Sequence, residues 1–140
     1  MVKIVFCLRR KDGMELDEFQ RYWREEHAPL VQLHAGALGI LRYVQSHTRL
    51  GPEADLLRAS RGGPGAYDGV AELWFRDIAA PIEAASTPEG RAAGAALLED
   101  ERRFIDLAHS PLFLAEEHEV VGHTGGGGAP LGVDTAWDGP

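Results

Sequence analysis

The chain opens on an apolar, β-branched run. Val2 to Arg9 reads as a strand, and Asp12-Gly13 breaks it. The apolar period then lengthens. Leu16, Phe19 and Trp23 recur at three and four residues and His27 continues the stripe, while Asp17, Arg21, Arg24 and Glu25 fall largely on other faces. That is an amphipathic helix. Its start carries no Ser, Thr or Asn cap, and Pro29 disfavours helical geometry at Ala28, so the helix is expected to end or kink there. Residues 39–48 form a second predicted strand, and the polar, Gly- and Pro-rich residues 50–66 read as a long loop. Asp68 to Phe75 is a third strand. Thr87-Pro88 supplies a cap followed by proline at the first helical position. It opens a helix expected to reach about Leu107, whose Ala92, Ala93, Ala95 and Ala96 permit close approach to a sheet. Pro111 to Val121 supplies a fourth strand.

The order β-α-β-β-α-β is the split, ferredoxin-like arrangement: an α+β domain over residues 1–121 with an antiparallel four-stranded sheet. Residues 122–140 begin Gly-His-Thr and run into four successive glycines, and are predicted to form a flexible tail.

Alternation divides the third strand into Ala71, Leu73 and Phe75, suited to the helices, and Val70, Glu72 and Trp74 on the other face. The second strand places Leu41, Tyr43, Gln45 and His47 together. A helix-free face that mixes a carboxylate with large apolar groups suits a homodimer whose two sheets close on each other. Such a dimer encloses a cavity with a few polar groups. The same residues also suit an ordinary interface with satisfied polar groups.

Composition narrows the partners. A formal charge of −8, with no cluster of Lys and Arg interleaved with aromatics, argues against nucleic acid. The single Cys7 cannot form an internal disulfide, which suits a reducing, cytoplasmic location, and it reads as inert core. The apolar run before Arg9 and Arg10 is too short to span a membrane, and its charge follows rather than precedes it, unlike a signal peptide. His27 and His34 do not make a metal signature, and no Gly-x-Gly-x-x-Gly, phosphate loop or nucleophile elbow is present. Neither a metal nor a cofactor is expected.

The candidate catalytic residues are therefore His27, His47, Tyr43 and Glu72, grouped around one cavity. Trp74, Trp23, Val70 and His109 are candidates to line it. His27 sits near the negative end of a helix dipole, as a proton carrier or as a cap that orders the Pro29 turn. A carboxylate among aromatics, as Glu72 would be, has its proton affinity raised and suits acid–base work; an ion pair with Arg9 or Arg42 is the competing role. His109 either contacts the cavity or caps the preceding helix.

Several segments resemble the EthD family: Lys3-Ile-Val-Phe-Cys-Leu-Arg-Arg, Phe19-Gln-Arg-Tyr-Trp-Arg-Glu-Glu-His-Ala-Pro-Leu, Tyr43-Val-Gln, Tyr67-Asp-Gly-Val-Ala-Glu-Leu-Trp-Phe and Thr87-Pro-Glu-Gly. Phe104-Ile-Asp and Ser110-Pro-Leu-Phe add to them, and Trp-x-x-x-His-x-Pro-Leu is the most specific element. The resemblance implies a dimeric α/β barrel. Relatives of that fold include cofactor-free monooxygenases, polyketide cyclases and decarboxylases, and a muconolactone isomerase. It therefore implies a cofactor-independent enzyme using side-chain acid–base chemistry on a hydrophobic phenolic or polyketide-like molecule. Alternatives are an oxidoreductase, monooxygenase or accessory protein of a degradation pathway, and a non-catalytic carrier or sensor. The stretch around residues 51–66 and the tail lie outside the resemblance.

Overall fold

A computed structural model describes residues 1–122. Strands β1 (Val2–Leu8), β2 (Arg42–His47), β3 (Gly69–Phe75) and β4 (Leu112–Ala115) form one antiparallel sheet in the order β2-β3-β1-β4. Helices α1 (Leu16–Tyr22) and α2 (Ala28–Leu38) are joined by a π-helical turn, Trp23–His27. Helices α3 (Pro52–Ala59), α4 (Ala80–Ala84) and α5 (Pro88–Glu101) follow. Phe6, Leu8 and Ala71 of the sheet pack against Phe19, Trp23, Phe104 and Ile105 to form the core. The ferredoxin-like α+β arrangement expected from the pattern is thus present. Among the described residues no helix is long and apolar enough to cross a membrane.

The helix that was expected to end or kink at Ala28 does not end there but runs on through a widened turn. The Ala28 N–H reaches the Trp23 carbonyl, one residue farther back than in an α-helix. Pro29 then occupies the first turn of α2, where its missing N–H costs nothing. Gly39 ends α2 at φ 72°, a left-handed cap that favours glycine. Residues 50–66 are likewise not all loop. Pro52 opens α3, with Glu53 and Asp55 in its first turn. The flanking glycines masked a run of good helix formers.

Helix α5 starts as expected, the Thr87 hydroxyl accepting from the Gly90 N–H at 2.9 Å. It ends short of Leu107 because the chain turns to pair with the end of the first strand segment. Lys11 N–H donates to the Phe104 carbonyl and Asp106 N–H to the Arg9 carbonyl. Strand β4 is shorter than expected, since Glu116, Glu117 and His118 leave the ladder. The predicted tail, apart from Gly122, lies outside the described residues.

Register decides which side chains share a face. Tyr43 pairs with Leu73, Gln45 with Ala71 and His47 with Gly69, all on the helix-covered side with Ile4, Phe6 and Leu8. Glu72 pairs with Val44 and Val5, Trp74 with Arg42 and Lys3, and Val70 with Ser46 and Cys7, on the helix-free side.

Gly69 is where the sheet admits the Trp23 indole. A Cβ there would lie 2.5 Å from Trp23 Cζ3 and 2.9 Å from Cη2, and Trp23 is only 1% exposed. Gly69→Ala is expected to cost about 1–3 kcal/mol of unfolding free energy through overpacking, read as a lower urea midpoint at unchanged slope.

Candidate functional site

Between sheet and helices lies a cavity of about 100 Å³, lined by Ile4, Phe6 and Leu73 below and by Trp23, His27, Val31, Leu97 and Glu101 above, with Tyr43 at its side. An adjoining hollow of about 230 Å³ shares Ile4, Leu73, Leu97 and Glu101 and extends toward Leu38 and Leu98. Most of this lining is apolar, so its few polar groups stand out.

The π turn turns both Trp23 and His27 inward. His27 is 4% exposed, packs on the Phe104 ring at 5.0 Å, and its Nδ1 lies 2.7 Å from Asp100 Oδ2. The other Asp100 oxygen accepts from the Tyr22 hydroxyl at 2.5 Å. An ionised carboxylate can only accept, so Nδ1 carries the proton and Nε2 presents its lone pair, without a protein partner among the described residues. Burial pulls the His27 pKa below the ordinary histidine range despite the opposing pull of Asp100. The imidazole is therefore neutral at neutral pH.

Glu101 follows Asp100 directly. Burial, and then the Asp100 charge, push its carboxyl up to about 7. Tyr43, whose hydroxyl accepts from Trp23 Nε1 at 3.1 Å and from Gln45 Nε2 at 3.0 Å, is pushed up to about 12, chiefly by burial. One small apolar space thus holds a neutral imidazole, a carboxyl poised near neutrality and a protonated phenol. This is an arrangement for moving protons.

Of the candidate residues, His27, Tyr43 and Trp23 meet at this cavity. His47 shares their side of the sheet but stands behind Trp23, its ring 4.5 Å from the indole and its Nε2 2.8 Å from Gln45 Oε1. Glu72, Trp74 and Val70 lie on the opposite face, with the thickness of the sheet between them and His27. The expected single cavity of Glu72, His47, Tyr43 and His27 beside Trp74 does not form. Each strand's alternation was sound, but the offset between strands sets Tyr43 opposite Leu73 rather than beside Glu72. Glu72 is held by Lys3 Nζ at 2.5 Å, not by Arg9 or Arg42. Trp74 lies under the Lys3 ammonium at 5.1 Å and the Arg42 guanidinium at 4.7 Å, and its Nε1 donates to Glu117 at 2.6 Å. His109 sits on an exposed 3₁₀ turn with Nδ1 2.8 Å from Asp106, away from the cavity. Asp100 and Glu101 were missed. Their signal was Ala93, Leu97 and Asp100 at helical spacing, a charge where the apolar stripe predicts a hydrophobe.

A family model described as the EthD domain matches residues 11–108. Among solved structures, an EthD family protein of Bacillus halodurans is 21% identical, with 84% of this chain and 99% of that chain covered at a TM-score of 0.56. A dimeric protein of unknown function and ferredoxin-like fold from Bacteroides fragilis is 12% identical (83% and 95% covered, TM-score 0.52). SnoaB of Streptomyces nogalater, a cofactor-independent oxygenase, is 16% identical (86% and 95% covered, TM-score 0.50). At these identities the likeness is one of fold. No curated protein matches the sequence. The matched segment spans both the π turn with its Trp23 and His27 and the Asp100–Glu101 pair, and by that match the chain belongs to the EthD domain family.

Proposed function

We propose that this protein is a homodimeric, cofactor-independent enzyme that moves protons on a small hydrophobic molecule of phenolic or polyketide-like character. The observation that carries this reading is the buried His27–Asp100 pair, with His27 lining an apolar cavity that also holds Glu101. The cofactor-independent activity stated for SnoaB, on the same fold, supports it.

In this mechanism Nε2 of His27 takes a proton from a carbon or phenol of the substrate, and Asp100 holds the ring and balances the imidazolium that forms. Glu101 and Tyr43 donate to the oxygen on which negative charge develops. Such a step serves decarboxylation, cyclisation, isomerisation or the opening step of an oxygenation. The aliphatic hollow beyond Glu101 accommodates the apolar remainder of the molecule.

The dimer follows from the other face. Val5, Val44 and Val70 form an apolar strip there without a helix above it, and Phe113 is 48% exposed. Lys3 and Arg42 stand at the Trp74 end, and Glu72, between Val44 and Val5, is paired with Lys3. A largely apolar face whose central charge is already paired suits a second copy of the same sheet.

Three measurements test these statements. In D₂O the protein should exchange the α-protons of 2-pentanone, a small enolisable ketone, and His27→Ala should slow this about 10²–10⁴-fold. Binding of the ketone without exchange would identify a carrier instead. The exchange rate should fall on both sides of an optimum. On the acid side His27 protonates, below the ordinary histidine range; on the alkaline side Glu101 loses its proton at about pH 7. Glu101→Gln should remove the alkaline limb alone. In sedimentation the wild type should run as a dimer at micromolar concentration. Val44→Arg, which keeps a cross-strand partner in Glu72, should run as a folded monomer.

A further inference from the structure

Beside the cavity, the hydrogen bonds around Tyr43 form a chain in which every link has only one permitted direction. It begins at the Trp23 carbonyl, which can only accept. Gln45 Nε2 lies 3.0 Å from that carbonyl and 3.0 Å from the Tyr43 hydroxyl oxygen. An amide oxygen turned toward the carbonyl would face another acceptor, so the Gln45 amide has a single allowed orientation. Its oxygen therefore faces His47 Nε2 at 2.8 Å, and that nitrogen must carry a proton.

The remaining nitrogen agrees. His47 Nδ1 is buried and has no hydrogen-bond partner among the described residues. A proton there would be a donor sealed away from any acceptor, whereas a bare lone pair is the less costly orphan. Burial and the Arg24 charge likewise pull the His47 pKa down, in the direction of a neutral ring. His47 is thus a neutral Nε2–H imidazole. It is unsuited to be the base expected of it from the sequence, and suited to hold Gln45 in place.

At the far end stands the phenol. Its oxygen accepts from Gln45 Nε2 and from Trp23 Nε1, an indole N–H that can only donate. Two donors occupy the oxygen's two acceptor positions, and the hydroxyl proton has no protein acceptor among the described residues. Gln45 lines the outer groove between α2 and β2 but not the inner cavity, whereas Tyr43 borders both. The amide thus approaches the phenol from the groove and the indole from over the cavity, which leaves the O–H to turn to an acceptor in the cavity beside it.

We propose that Gln45 and His47 are positioning residues that fix the direction of the Tyr43 hydroxyl, so that it presents a hydrogen-bond donor to an acceptor oxygen of a ligand in the cavity. The ligand class follows: a molecule with a carbonyl or an oxyanion at this end, rather than a hydrocarbon or a group that can only donate. This deepens the function proposed above and rests on the same cavity. Its test needs no turnover, so that absent proton exchange with retained ketone preference would reject the catalysis and leave the donor order standing.

The test has two parts. Imidazole ¹⁵N shifts at pH 7, assigned to His47 by their loss in His47→Leu, should show a protonated Nε2 and a bare Nδ1. Cyclopentanone and methylenecyclopentane, matched in shape, are then titrated while the Trp23 indole N–H resonance is followed. The wild type should bind the ketone about five- to ten-fold more tightly, the usual worth of one hydrogen bond. Tyr43→Phe should abolish that preference. Gln45→Glu should abolish it as well, because a carboxylate at this position accepts and turns the Tyr43 hydroxyl away from the cavity. Gln45→Met, which adds no charge and secures the test if the carboxylate unfolds the protein, should reduce the preference by releasing the hydroxyl. A proton on Nδ1, an equal affinity for the two probes in the wild type, or an unchanged preference in the Gln45 variants overturns the proposal.

Discussion

The rest of the structure depends on one buried carboxylate. Asp100 is 8% exposed, and such a charge is tolerated only where hydrogen bonds replace the water it has lost. Two of those bonds come from the first helical segment, from Tyr22 at 2.5 Å and His27 at 2.7 Å. The same contacts therefore tie α1 and the π turn to the end of α5 and orient the imidazole, while the Asp100 charge adds to burial in raising the carboxyl of Glu101. Fold and chemistry share a fastening here. Removing the carboxylate would strand two donors as well as untether the ring.

Much of the architecture was legible in the chain. Strand alternation and the Thr87-Pro88 helix start are local chemistry, and local chemistry is what a sequence displays. What escaped was of two kinds. Helix α3 was hidden because Pro52 and Gly51 read as loop residues, although a proline at a helix's first position is a start as much as a break. The site was divided because alternation gives each strand its own parity but not the offset to its neighbour. That offset is set by long-range pairing, and one residue of slip moves a whole set of side chains to the other face. Tyr43 and Glu72 were assigned together for that reason, and His27 found its partner on a helix some seventy residues away.

The two faces of the sheet handle polar groups differently. On the helix side, polar atoms are few, and they are ordered by directional hydrogen bonds among Trp23, Tyr43, Gln45 and His47. On the other side, Trp74 is wrapped by Lys3, Arg42 and Glu117, whose charges stay near the rim and keep their contact with water. The first arrangement buries its titratable groups more deeply, and the carboxyl of Glu101 and the phenol of Tyr43 are displaced there chiefly by that burial.

The π turn has a consequence for how the long helical segment meets the core. Trp23, His27 and Val31 are all buried although they stand four residues apart. In a regular α-helix a spacing of four overshoots the 3.6-residue turn, so that successive side chains drift around the axis. The wider turn between Trp23 and His27 lags where the following α-helical turn leads, and the two errors cancel. The helix keeps its phase across three contacts by borrowing one residue from its own hydrogen-bond ladder. A deletion of a single residue between Trp23 and His27 would turn the Ala28–Trp23 bond into a regular α-helical one and leave the segments on either side close to their present phase, so this turn is where the chain can lose a residue without unseating its neighbours.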